Sequence, residues 1–413
     1  MSVIEHREKL LDSMENNSIA VVWAGRPTLA NEDEYLPFAV NSFFYYLTGS
    51  ARQGQILLLV KAGEHRDQYM FIDPVNETTE RWTGRMPRRK EVQALTGIEN
   101  VEYTSDFNSV LGLLMGRFAI DTAYFDVFRC EVEDLPTWNA EKAAEFATHY
   151  PAVRIADLHR LCGLIRETKD KDEVEAVRQA IGITAKGLDN VLRTLEPGMM
   201  EYQIQAIFEG TCHYEGARDL AFPTIAAGGS NACSMHYDAN NARLNDGELI
   251  LFDLGAKYGN YCSDISRTYP IGGRYTQRQR ELYDIVLKAN RAVAETAAPG
   301  VTFGELEEVT ERVLSEGLME LGMIDSPEEV RTYYPHSVSH SIGIDPHDVS
   351  RREVSLQAGW IISDEPGLYI DEEGIGIRIE DDLLITEDGC EVLSSTIPSD
   401  PDEIERLMAA ARS

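Results

Sequence analysis

The sequence predicts two domains, an α/β domain over residues 1–160 followed by a larger α+β domain over residues 161–413. Three observations carry this expectation. A chain of 413 residues exceeds the usual size of one domain. Its texture changes near residue 160, from short alternating strand-like and helix-like pieces to long amphipathic helices. Finally, five residues of metal-ligand type, Asp253, Asp264, His340, Glu365 and Glu380, lie in or beside short apolar segments, where a charge needs a partner.

In the first part, Ile19–Trp23 and Gln55–Val60 read as buried strands, and Tyr69–Ile72 and Phe118–Asp121 as shorter ones. Val110–Met115 and Glu141–Phe146 have helical spacing. Nothing in this part has the spacing of a catalytic constellation. From Arg166 to Leu195 one long helix is expected, with Val174, Val177, Ile181, Ala185 and Leu188 on one face and Pro197-Gly198 at its end. Further helices are expected over Met200–Tyr214, over Glu281–Ala297 with Pro299-Gly300 as its stop, and over Phe303–Leu321. A helix ended by Pro-Gly and followed by another helix thus occurs twice, which suggests an internally duplicated domain.

Composition narrows the function. The formal net charge is −32, from 38 Lys and Arg against 70 Asp and Glu. Phosphate binding needs clustered cations, so nucleic acid is not an expected partner. The charged start (Glu5, Arg7, Glu8, Lys9) shows no signal peptide, and no apolar run approaches a membrane span. The six cysteines are scattered without a Cys-x-x-Cys pair, as expected of reduced thiols in the cytoplasm.

The chemistry concentrates in four segments. Leu249–Tyr269 reads as two strands around Gly259-Asn260. A hairpin centred between Tyr258 and Gly259 sets Asp253 opposite Asp264, with Cβ atoms roughly 4.5–5.5 Å apart. Two such carboxylates can bridge a metal pair, although strand-end acids are common in so acidic a chain. Alternation also points Cys262 to the Asp264 face. Next come His336, His340 and His347 within twelve residues. His336 and His340 have zincin spacing, but Ser337 stands where that motif needs its glutamate. Trp360–Ile370 is an apolar strand interrupted by Glu365 before Pro366-Gly367. In Gly374–Asp382, isoleucines 375, 377 and 379 share one face, and Arg378 and Glu380 the other. A donor set of four carboxylates and one imidazole suits two hard divalent cations better than a closed zinc site. Such a pair activates water against an amide or ester, so a hydrolase is the reading.

Together these segments resemble the pita-bread metallopeptidases, in the aminopeptidase P and prolidase branch. The resemblance rests on Asp253-Leu-Gly, Ser263-Asp264-Ile-Ser-Arg-Thr, His336-x-x-x-His340, Gly343-Ile-Asp-x-His347-Asp, Glu365-Pro-Gly-Leu-Tyr and Gly376-Ile-Arg-Ile-Glu380-Asp-Asp. Weaker likeness runs through Glu34-Tyr35, Asn41-Ser42 and Tyr46-Leu-Thr48-Gly49, and through the tail from Asp402. It implies a creatinase-like N-terminal domain for substrate access and oligomerisation, and a pita-bread catalytic domain. It further implies two manganese-type ions, with zinc or cobalt as alternatives, bridged by a hydroxide. Asp253 and Glu380 would bridge them, Asp264 would hold one, and His340 with Glu365 the other. By the same likeness Glu365 shuttles the proton, His236 and His347 bond the scissile carbonyl region and its tetrahedral intermediate, and Arg378 orients ligands and substrate. The implied partners are proline-containing peptides and further copies of the chain, as a homodimer or homotetramer.

Three positions depart from the family pattern. Phe43 replaces an aspartate usual after Asn-Ser, Ser337 replaces a glycine, and Ser363 replaces a threonine. The expected activity is hydrolysis of the N-terminal Xaa-Pro bond, with Xaa-Pro dipeptidase as the alternative. Methionine aminopeptidases lack a comparable N-terminal domain, and creatinase-like hydrolases do not use the metals. Non-enzymatic binding modules of this fold have typically lost ligands, and none is lost here.

Overall fold

The computed structural model describes residues 3–412. The chain divides into two compact units, Met1–Ile165 and Arg166–Ser413. The first is an α/β unit built on one six-stranded sheet: β1 (Ser18–Trp23), β2 (Ile56–Ala62), β3 (His65–Ile72), β4 (Asn100–Tyr103), β5 (Thr122–Phe125) and β6 (Arg154–Asp157). Their order is β4-β3-β2-β1-β5-β6, with β1, β2 and β3 antiparallel and the outer pairs parallel. Both faces of β1 and most of β2 are buried, hence their near-continuous apolar runs. Ile19, Val21, Leu58, Phe71 and Phe125 pack with Leu111, Leu114 and Phe146 from the helices Phe107–Arg117 and Trp138–His149.

The expected strand at Phe118–Asp121 is not one. Phe118 caps the helix Phe107–Arg117 by donating to Leu114 O, and Ile120 turns back to Phe118 O. Pairing begins only at Thr122, beside Ser18. The run is apolar because Phe118 and Ile120 pack on the core, which sequence alone does not separate from strand burial.

The second unit is α+β. Its strands are β7 (Ile225–Gly228), β8 (Leu249–Leu254), β9 (Lys257–Tyr258), β10 (Tyr261–Cys262), β11 (Ile265–Pro270), β12 (Ile361–Asp364), β13 (Gly367–Ile370), β14 (Ile375–Arg378), β15 (Asp381–Ile385) and β16 (Cys390–Val392). They form antiparallel groups β11-β8-β7, β10-β9, β12-β15-β16 and β13-β14. Each half of the unit pairs two packed helices with such groups: Lys171–Thr194 with Glu201–Tyr214, and Gln277–Thr296 with Phe303–Glu320. Among the described residues, no helix is long and apolar enough to cross a membrane.

The expected helix from Arg166 to Leu195 is broken. An earlier helix stops at Arg166, and the long one starts at Lys171. Asp170 accepts from the N–H groups of Asp172 and Glu173, while Glu173 accepts from the Asp170 N–H. This capping box restarts the helix and satisfies three N–H donors near the new terminus. Helical periodicity runs across the break because both sides bury a face, so only the Asp-x-x-Glu signature reveals it.

One buried cation ties the strands of the second unit together. Arg267 on β11 is 1% exposed. It donates to the carbonyls of Ser266, Glu380, Ile397 and Pro398 and to Asp381 Oδ1 at 2.7 Å. Removing it would strand a buried carboxylate and free four carbonyls. Arg267→Ala is expected to cost about 3–5 kcal/mol, the scale for breaking a buried pair. The check is a lowered urea midpoint at an unchanged denaturant slope.

Candidate metal centre

Asp253 is the penultimate residue of β8, and Asp264 precedes β11. The hairpin between them turns on Gly259 and Asn260, at φ 53° and 67°. Two residues with positive φ make a two-residue turn whose twist suits antiparallel strands. That turn is centred one residue later than the sequence reading set it. Asp253 therefore faces Ser266, not Asp264. Asp264 lies two residues before Ser266, diagonal to Asp253 along the strand. Between the aspartates the ladder pinches at Gly255, where a Cβ would sit 1.9 Å from Ser263 O.

Glu365 stands between β12 and β13, held by its N–H to Val338 O. Glu380 follows β14, with its N–H on Ser266 O at 3.0 Å. The segment of His336, His340 and His347 is irregular, so the zincin helix is absent there. His340 is nonetheless pinned: its N–H donates to Ser363 Oγ, and Ser363 N–H donates back to His340 O. The His340 Nδ1–H donates to Ser341 O at 3.1 Å. Because a carbonyl only accepts, Nε2 is left bare. It lies 3.4 Å from Glu365, 3.6 Å from Asp264 and 4.0 Å from Glu380.

All five predicted ligand residues line one cavity of about 480 Å³, together with His236, His336, His347, Arg352 and Arg378. Their donor atoms form overlapping groups: Asp253, Asp264 and Glu380; His340, Glu365 and Glu380; and Asp264, His340 and His347. Glu380 joins both carboxylate-rich groups, and Asp264 reaches both Asp253 and His340. Asp253 belongs to one group only, and its Oδ2 takes a 2.5 Å bond from Arg378. The distances thus make Asp264 and Glu380 the shared carboxylates, where the resemblance implied Asp253 and Glu380. His347 stacks on His340 with ring centroids 4.0 Å apart.

The donor set fits a pair of divalent cations. Asp253 Oδ1 is buried without a hydrogen-bond partner, an acceptor that a cation would satisfy. Burial and the neighbouring carboxylates push Asp264 and Glu380 well above the usual carboxylate range. Burial, with Asp253 adding to it, pushes Glu365 up to about 8. Burial lowers His340 to about 3, so its imidazole is neutral as a ligand must be.

Sequence reasoning named Arg378 but missed Ser266 and Tyr369, the groups that connect it to the site. Arg378 binds Asp253, Ser266 Oγ at 2.8 Å and Tyr369 OH at 2.8 Å. Ser266 Oγ donates on to Glu380 Oε2 at 2.7 Å. Tyr369 OH lies 2.9 Å from His336 Nε2, whose Nδ1–H is taken by Ser337 O. Period-two alternation from Asp264 to Ser266 was the available signal for the serine. Cys262 does not line the cavity: its thiol is fully buried and donates to Ile344 O. The break in pairing between β10 and β11 undoes the alternation that placed it with Asp264.

The comparisons agree with this geometry. The profile described as metallopeptidase family M24 matches residues 175–387, and that of the aminopeptidase P N-terminal domain matches residues 3–120. The chain belongs to the metallopeptidase family M24. Within it, the chain falls in the aminopeptidase P branch. The Xaa-Pro aminopeptidase of Escherichia coli is 33% identical, with 98% of this chain and 97% of that protein covered. The Xaa-Pro aminopeptidase of Haemophilus influenzae is 31% identical, with 98% and 96% covered. Among solved structures, a putative aminopeptidase P from Bacillus anthracis superposes with a TM-score of 0.97 at 36% identity, covering 99% of this chain and 98% of that one. Zinc-substituted Escherichia coli aminopeptidase P in complex with product gives 0.89 at 30% identity, covering 100% and 98%.

Burial pushes the Cys262 thiol up, whereas Cys130 is exposed. Iodoacetamide is therefore expected to label Cys130 of the folded protein and to reach Cys262 only after denaturation, as read by peptide mass mapping. Cys262→Ser should remain active, since no thiol faces the cavity at this position.

Proposed function

We propose that this chain is a manganese-dependent Xaa-Pro aminopeptidase, a metallopeptidase that releases the residue preceding an N-terminal proline. The observation that carries the reading is the convergence of Asp253, Asp264, His340, Glu365 and Glu380 on one cavity. Two M24 relatives named for the same activity, each alignable along nearly the whole chain, support it. A donor set rich in carboxylate oxygen supports manganese, with zinc or cobalt as alternatives. When bound, the cations would supply a nucleophilic water at neutral pH and polarise the scissile carbonyl.

The protein's own groups do the rest. Asp264 and Glu380 would be shared between the two ions, Asp253 would complete one ion's set, and His340 with Glu365 the other's. Glu365 takes the proton of the attacking water and hands it to the proline nitrogen as the bond breaks. As a carboxylate facing the cavity it can accept that proton, and as the carboxylic acid so formed it can give it up again. His347 and His236, lining the same cavity, donate to the carbonyl oxygen as it gains negative charge. Arg378 orients Asp253 directly and Glu380 through Ser266. We read the enzyme as cytoplasmic and as a homodimer or homotetramer, with the first unit serving substrate access and assembly.

Chelation is expected to abolish turnover and manganese to restore it. Asp264→Ala or Glu380→Ala should lose at least one metal per chain and nearly all activity. An active Asp264→Ala enzyme with undiminished metal would sink the reading. By contrast, His347→Ala should keep two metals while kcat falls roughly 10²–10³-fold, the scale of one lost oxyanion donor. Metal loss there would make His347 a ligand.

The dipeptidase alternative needs an arginine for the proline carboxylate. Arg351 is tied to Glu167, and Arg378 has three protein partners. Of Arg351, Arg352 and Arg378, this leaves Arg352, exposed in the cavity wall. Both substrates should be cut, with Xaa-Pro-Yaa and longer peptides favoured in kcat/KM. Efficient dipeptide turnover with tripeptides untouched would replace the aminopeptidase assignment by the dipeptidase.

A further inference from the structure

A buried carboxylate outside the metal groups holds the loop that carries His236. Glu201 begins the helix Glu201–Tyr214 and has no exposed surface. Its Oε1 accepts from Gly228 N at 2.8 Å and Asn231 Nδ2 at 2.9 Å. Its Oε2 accepts from the Tyr237 hydroxyl at 2.8 Å and Ala242 N at 2.7 Å. The Glu201 N–H also donates to Ala242 O at 3.0 Å. Gly228 and Ala242 bracket the loop, and Tyr237 is the neighbour of His236. A single side chain therefore grips the loop at both ends and beside its functional residue.

His236 itself is exposed and has no hydrogen bond to hold it among the described residues. Its place over the cavity depends on the backbone that carries it. Flanking side chains Met235 and Tyr237 pack on the small core of Ile225, Ala227, Ala232, Leu251 and Tyr369. This packing holds the middle of the loop, while Glu201 ties its two ends. The approach is close: a Cβ on Gly228 would meet Leu244 Cδ2 at 2.6 Å and Glu201 Oε1 at 3.4 Å.

All four groups on the Glu201 oxygens are donors here. An ionised carboxylate matches every one of them, whereas an amide would set its N–H against a backbone donor, Gly228 N–H or Ala242 N–H. Left unpaired in a buried site, that donor would pull the loop toward water. We infer that Glu201 is a positioning residue for the reaction, its carboxylate fixing the Gly228–Ala242 loop and thereby the reach of the His236 imidazole over the metal cavity. The inference rests on the reading above that His236 acts on substrate.

The test is a cycle of Glu201→Gln and His236→Ala in the manganese-loaded enzyme with an Xaa-Pro-Yaa tripeptide. Glu201→Gln should lower kcat roughly 10–100-fold, the scale of a displaced catalytic group. KM should change much less, and two metals per chain should remain. In the His236→Ala background the same change should lower kcat no further, because the group it positions is gone. Losses that multiply in the double variant, or a Glu201→Gln enzyme of full kcat, overturn the inference. Should Glu201→Gln not fold, Tyr237→Phe removes one donor, keeps the ring packing and serves the same cycle, with a smaller loss expected. A fully active His236→Ala enzyme would overturn the role of His236 and the inference with it, whereas multiplicative losses overturn the inference alone.

Discussion

Four carboxylates and an imidazole converge in a largely buried cavity, and the second unit is arranged around that electrostatic strain. Asp253, Asp264, Glu365 and Glu380 would repel one another there without compensating charge. The protein supplies only part of the compensation. Arg378 neutralises Asp253 and reaches Glu380 through a hydroxyl, and Arg267 pairs with Asp381 beside Glu380. Divalent cations would offset the remainder, so binding them and stabilising the fold are one process. The close backbone approach at Gly255 and the buried hydrogen bonds of Ser266 and Arg267 belong to the same problem.

How much of this could be read from the sequence depended on how local each determinant is. The five ligand types stood out because a charge within an apolar run is anomalous by itself. The Gly259-Asn260 turn was visible, but its centre was not, since dipeptide identity does not fix which residues take positive φ. A slip of one residue moved Asp264 from opposite Asp253 to a diagonal position. The long helix was over-extended because periodicity persists across a capping box. The supports were hidden for another reason. Ser266 with Glu380, and Tyr369 with His336, are contacts between distant segments of types too common to signal anything alone.

The same distinction separates the two sorts of acid in the second unit. The ligand-type acids face the cavity and lack enough protein donors. Glu201, as buried as Asp264 and Glu380, is saturated by four. Asp253 keeps one buried oxygen without a donor, whereas each Glu201 oxygen accepts two hydrogen bonds.

The ligands are distributed along the chain in a way that bears on its synthesis. Asp253 and Asp264 come from the β8–β11 hairpin, His340 from an irregular segment, and Glu365 and Glu380 from the connections that follow β12 and β14. Glu380, held in both carboxylate-rich groups, is the last of the five to leave the ribosome. A growing chain therefore holds an incomplete donor set until Glu380 has been made and its N–H has docked on Ser266 O, and a cation pair held by all five residues would be bound only by the finished unit.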